Sequence, residues 1–194
     1  WDVPGLKLHD RSKALPIFIR GLAAAMGGRP EADKYLAALR ALGHKESAKA
    51  NARRTHRGTT EEMMELELNA ATLSLKGNHA KAIALMKKAT ALEEALPPPS
   101  GPPDTVKPAH ELFGEVLLRA RRPKEAAQQF SNALARHPNR ARSLIGAARA
   151  AAKSGDSPVA FTAYVKFLQV WAEADAELPE LREAREYVQP ASTP

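Results

Sequence analysis

The sequence predicts an all-α protein built from antiparallel helical hairpins. Three observations carry that reading. Alanine is abundant while aromatic residues make up 5% of the chain, and alanine loses no side-chain entropy on entering a helix. The β-branched and aromatic runs expected of strands are missing. Apolar residues recur at helical spacing between Gly and Pro residues placed where helices stop and start.

The elements follow in order. Residues 1–13 carry no period and read as an extended lead-in. Leu15, Phe18, Ile19, Leu22 and Met26 mark a helix that Gly27-Gly28 stops, and Pro30 restarts the chain. Tyr35, Leu36, Leu39 and Leu42 form the next stripe, which Gly43 ends. Residues 44–58 are polar and basic, and both helix and loop remain open there. Thr59 and Glu62 stand at capping-box spacing, so a helix is expected to start at Thr59. It carries Met64, Leu68, Ala71 and Leu75 on one face and stops at Gly77-Asn78. Ala82, Leu85, Met86, Ala89, Leu92 and Leu96 mark a further helix.

Residues 97–106 form a proline-rich insertion. Proline lacks the N–H and clashes with the preceding turn, so no helix passes through, and polyproline II or irregular loop is expected. Pro99-x-x-Pro102 matches the minimal pattern for an aromatic groove. A plain inter-helix loop is the favoured reading of so short a motif.

Ala109, Leu112, Phe113, Val116, Leu117 and Ala120 give the cleanest amphipathic signal of the chain. Pro123 stands at a first helical position, followed by Ala126, Phe130, Ala133 and Leu134. Pro138 is expected to end that helix and Asn139 to cap the next, where Leu144, Ile145 and Ala148 lead to Gly155. Asp156 or Ser157 caps the helix carrying Ala160, Tyr164, Phe167, Leu168 and Trp171. An acidic helix over 178–188 closes the array, and residues 189–194 are expected to be disordered.

An internal period runs through this pattern. Ala126 and Ala160 are 34 residues apart, as are Phe130 and Tyr164. Gly114, Ala126, Phe130, Ala133 and Pro138 stand at the spacings of a tetratricopeptide unit, and Gly155, Ala160 and Tyr164 continue it. Residues 107–140 and 141–174 each resemble one tetratricopeptide repeat. Residues 63–96 resemble a third, displaced by the insertion, and residues 14–45 a degenerate hairpin. The family's first-helix tryptophan is replaced by Leu66, His110 and Leu144. The resemblance implies a right-handed α-solenoid of eight or nine helices over residues 14–188. It also implies a non-catalytic scaffold that binds a protein or peptide in its groove. Small residues would sit where helices cross and large ones would fill the space between hairpins. No hairpin buries its apolar face alone, so stacking completes the core.

The chain has 194 residues, a formal net charge of +7 and no cysteine. Disulfides, thiolate zinc sites and cysteine nucleophiles are thereby excluded. No apolar run has the length of a membrane span. Cytoplasm and periplasm both remain open, and a chain opening on Trp1 has the pattern of a processed or trimmed N-terminus. The Ala-, Arg- and Pro-rich composition has a bacterial style.

No cofactor or metal is expected. None of the six histidines pairs at i, i+4 to share a helix face, and neither a phosphate-binding Gly-rich loop nor a nucleophile elbow occurs. The adjacent acids Glu93-Glu94 are read as solvated charge or capping. Glu67 and Ala71 stand where the family's carboxylate clamp would need Lys and Asn, which argues against binding of chaperone tails. Arg119, Asn139, Arg140 and Arg142 are the candidate partner-binding residues, for an acidic or phosphorylated segment. Two alternatives stay open: nucleic-acid binding through the basic stretches, and an accessory role beside an enzyme or ligand-binding domain outside these residues. Basic runs without interleaved aromatics argue against the first. Dimerisation at the last hairpin is expected if the acidic helix leaves that hairpin uncovered.

Overall fold

The computed structural model describes residues 13–47, 56–97 and 106–189. The described residues are all-α, with nine helices and no strand. They are α1 (Ala14–Met26), α2 (Ala32–Ser47), α3 (His56–Leu75), α4 (His79–Glu94), α5 (Ala109–Arg119), α6 (Pro123–Arg136), α7 (Ala141–Ser154), α8 (Ser157–Val170) and α9 (Pro179–Val188). The chain divides into two compact units, Trp1–Leu92 and Glu93–Pro194.

In the first unit, α1, α2 and α3 pack against one another. Phe18, Leu22, Leu36, Leu39, Met63 and Leu68 are buried. Gly21 permits this approach, since a Cβ there would lie 2.6 Å from Leu68 Cδ2. In the second unit, α5 through α8 pack each on the next, α5 also touches α7, and α9 packs on α8. Leu181 and Ala184 of α9 are buried with Leu144, Ile145, Ala148, Tyr164 and Phe167. The acidic helix therefore packs on one face of the last hairpin from within the chain, while Val159, Phe161 and Val170 of α8 stay exposed.

One turn is built four times. After α1, α3, α5 and α7 the chain makes the same pair of backbone hydrogen bonds. Arg29, Asn78, Arg122 and Asp156 donate to Ala24, Leu73, Leu117 and Ala151, and the residue before each donor bonds to the next carbonyl along. This is the Schellman arrangement, which needs one residue in the left-handed region. That residue is Gly28 (φ 66), Gly77 (φ 77) and Gly155 (φ 84) in three turns, and Arg121 (φ 57) in the fourth. Glycine fits because it has no Cβ. A side chain there costs about 1–2 kcal/mol.

Several expected boundaries move. α2 continues through Gly43 to Ser47, since a helical glycine costs only about 1 kcal/mol against alanine and helical packing can absorb it. α3 starts at His56, so Thr59 lies inside the helix rather than capping it. The fourth predicted helix ends at Glu94, short of Leu96. Asn139 does not cap α7: it takes a left-handed turn conformation (φ 63), and Arg140 occupies the N-cap position. Asp156, not Ser157, caps α8, accepting from the Val159 N–H at 3.2 Å. The lead-in at 1–12, Pro99-x-x-Pro102 and the tail at 190–194 lie outside the described residues.

Candidate partner-binding surface

The repeat positions divide into two kinds. Gly114, Ala126, Phe130, Ala133, Ala160 and Tyr164 are buried. Pro138 and Gly155 are exposed and shape turns instead of filling the core. Phe130 is fully buried. A Cβ on Gly114 of α5 would meet its ring at 2.7 Å, and a Cβ on Gly146 of α7 would overlap the same ring. Two glycines on two helices therefore make room for one aromatic side chain. In the next hairpin Tyr164 takes the equivalent place, and its phenol must find a partner. Its O–H donates to Glu183 Oε1 at 2.7 Å, and its ring lies 4.5 Å from that of Tyr187. Arg149 grips the same carboxylate, with Nε 2.9 Å from Oε1.

The start of α5 holds a buried ionic cluster that sequence reasoning missed. Glu111 is fully buried. Its Oε1 accepts from Arg140 Nη2 at 3.2 Å and lies 3.1 Å from Lys107 Nζ. Its Oε2 accepts from Arg140 Nε at 2.7 Å and Ser143 Oγ at 2.6 Å. Burial pushes the Glu111 carboxyl upward. The charge of Lys107 and the hydrogen bonds from Arg140 and Ser143 outweigh it and hold the group below the ordinary carboxylate value. Glu93 is not solvated: it accepts from the backbone N–H groups of Ala109 at 3.0 Å and His110 at 3.2 Å. It thereby caps a helix that starts 15 residues beyond α4's last residue, where an anion is favoured by the free N–H groups and the helix dipole. His110 is buried, with Nδ1 2.8 Å from Gln129 Oε1. It serves the packing of α5 on α6.

The arginines of this cluster also fasten the two edges of the insertion. Arg136 Nη2 donates to the carbonyls of Glu93 at 3.1 Å and Leu96 at 3.2 Å. Arg140 Nη2 donates to the carbonyl of Val106 at 2.9 Å. His137, between them in sequence, is held below the ordinary histidine value by burial and by the charges of Arg140 and Arg136, against the pull of Glu93.

The four candidate partner-binding residues do not form one group. Arg140 is engaged by Glu111 within the chain, so its charge is largely neutralised. Asn139 and Arg142 are exposed beside it at the α6–α7 turn. Arg119 is exposed at the far end of α5, eight positions beyond Glu111, a run of roughly 12 Å along a helix axis. Its neighbours there are Arg121, Arg122 and Lys124, all exposed. Arg122 pairs with Glu125, its Nη2 2.7 Å from Oε2. Arg119, Arg121 and Lys124 carry no intramolecular ion pair or side-chain hydrogen bond among the described residues.

No helix of the described residues is long and apolar enough to cross a membrane. Among those residues no cluster of three His, Asp or Glu side chains could hold a metal ion. No protein-family model matches the chain, and a search of curated proteins finds no match.

Proposed function

We propose that the chain is a non-catalytic scaffold of the tetratricopeptide-like kind that binds a protein or peptide partner of acidic character. One observation carries this reading: the same Schellman turn closes α1, α3, α5 and α7, and the buried pairs Ala126 with Ala160 and Phe130 with Tyr164 recur at a 34-residue spacing. Repeated hairpins present extended surfaces to other macromolecules. Buried charge in the second unit serves packing and capping, and exposed cations stand at the turns.

The test is affinity capture by the immobilised chain from lysate, at low and at physiological salt, with identification by mass spectrometry. The expected result is one dominant protein retained at physiological salt. Recovery of nucleic acid alone, or of many acidic proteins released by modest salt, would overturn the reading, because screened non-specific attraction behaves that way.

A further inference from the structure

We propose that the α5–α6 turn, through Arg119, Arg121 and Lys124, is the docking point for an anionic peptide segment, carboxylate-rich or phosphorylated. The inference rests on the scaffold reading and gives it a site.

The four equivalent turns make the argument. Three place glycine at the left-handed position, and the fourth places Arg121 there with φ 57. Backbone preference opposes arginine at that position, so the turn keeps a cation where the fold would be better served by glycine. The six residues Arg119 to Lys124 contain four cations, whereas the equivalent segment ending α7 contains one, Lys153. Lys107 and Arg140 are engaged by Glu111, Arg149 by Glu183 and Arg136 by backbone carbonyls, while Arg142, Lys153, Lys166 and Arg182 stand apart from one another and none of them lies in a run of four cations within six residues. Exposed Arg and Lys without partners retain their full capacity for carboxylate and phosphate oxygens, arginine in a bidentate fork. A peptide fits better than nucleic acid. Phe113 and Phe130, the phenylalanines of this hairpin, are both buried, and the turn itself carries no aromatic on which a base could stack.

The experiment uses the full chain and two fluorescein-labelled probes, an oligoglutamate peptide and a phosphoserine peptide of equal charge. Binding is read by anisotropy at physiological salt and located by amide chemical-shift changes. The two probes separate a carboxylate from a phosphate preference. Arg121→Gly and Lys124→Glu are each expected to weaken the preferred probe roughly tenfold, the loss of about one charge-assisted contact. Arg121→Gly leaves the turn intact, and Lys124→Glu leaves its backbone untouched. Arg142→Glu changes net charge as much as Lys124→Glu but sits at the other turn, and is expected to change affinity by less than about twofold. Equal weakening by Lys124→Glu and Arg142→Glu, or shift changes centred elsewhere, would overturn the proposal. Tighter binding of a single-stranded oligonucleotide of matched charge at the same residues would overturn it in favour of nucleic acid. Failure here with a protein still retained in the capture experiment removes the docking point and leaves the scaffold reading standing. Failure of capture removes that reading itself.

Discussion

The ring of Phe130 on α6 occupies the space that a side chain on Gly146 of α7 would need. Gly114 of α5 makes the same allowance for that ring, so three consecutive helices close on one aromatic residue. Gly146→Ala adds up to about 1 kcal/mol of helix propensity. The fully buried ring cannot give way cheaply, and overpacking costs about 1–3 kcal/mol. Net destabilisation in urea unfolding is expected, relieved when Phe130→Leu is added. Phe130→Ala alone should cost about 3–5 kcal/mol.

Glu111 and Arg142 make a contrasting pair. Glu111→Ala removes the carboxylate on which Lys107, Arg140 and Ser143 converge. Breaking a buried pair costs up to about 3–5 kcal/mol, and a loss near the lower end is expected because Lys107 keeps Glu115 at 2.6 Å and Arg140 keeps the Val106 carbonyl at 2.9 Å. Arg142→Ala, at an exposed position, should stay within about 0.5 kcal/mol of the parent. Chemical denaturation of both variants checks the difference. Arg140→Glu would be a poor probe of partner binding, since it places a second carboxylate against Glu111.

Acid should loosen the second unit. Glu111 and Glu183 are both held below the ordinary carboxyl value of 4.5, Glu183 chiefly by its hydrogen bond from Arg149 and against its burial. Between that value and the depressed folded ones, the unfolded chain binds more protons, so stability rises with pH. The contribution is present above about pH 4.5 and is lost as pH falls through the folded values. His137, held below 6.5 chiefly by burial, adds loss of the same sign where the unfolded histidine protonates first. Thermal midpoints measured from pH 7 down to pH 3 should fall, and Glu111→Gln should flatten the lower part of that slope.

The Tyr164 hydroxyl has an alkaline counterpart. Burial and its bond to Glu183 raise it above the ordinary 10.0, so the stability it contributes is present below pH 10 and is lost as pH rises through the folded value. Tyr164→Phe should cost about 1 kcal/mol near neutrality, since Glu183 keeps Arg149 when the phenol is gone. A urea titration at pH 7 and at pH 10.5 reads both.

Arg121→Gly should stabilise the protein by about 1 kcal/mol, by relieving the left-handed turn residue of its side chain. A fall in thermal midpoint would mean that Arg121 makes contacts which outweigh the strain. Outside this turn, substitutions that relieve strain and weaken binding together are not expected.

Local structure is written in short-range signals of the chain. Helical periodicity, Gly27-Gly28, Gly77, Gly155 and Pro123 set the class and most helix ends, because those signals act within one turn of chain. The 34-residue spacing of Ala126 with Ala160 and Phe130 with Tyr164 picked out four side chains that are buried, because packed helices demand particular sizes of side chain at repeated positions. Tertiary structure alone decided which charges are spent. Nothing near Arg140 announced that Glu111, 29 residues earlier, would bind it. Nor did anything near Ala109 announce that Glu93 would cap its helix. Gly146 became the second glycine against Phe130 only when α7 docked on α6. A buried polar group must find partners wherever the fold brings them. That pairing between distant residues engaged Arg140 internally and left Arg119, Arg121 and Lys124 as cations without an intramolecular partner.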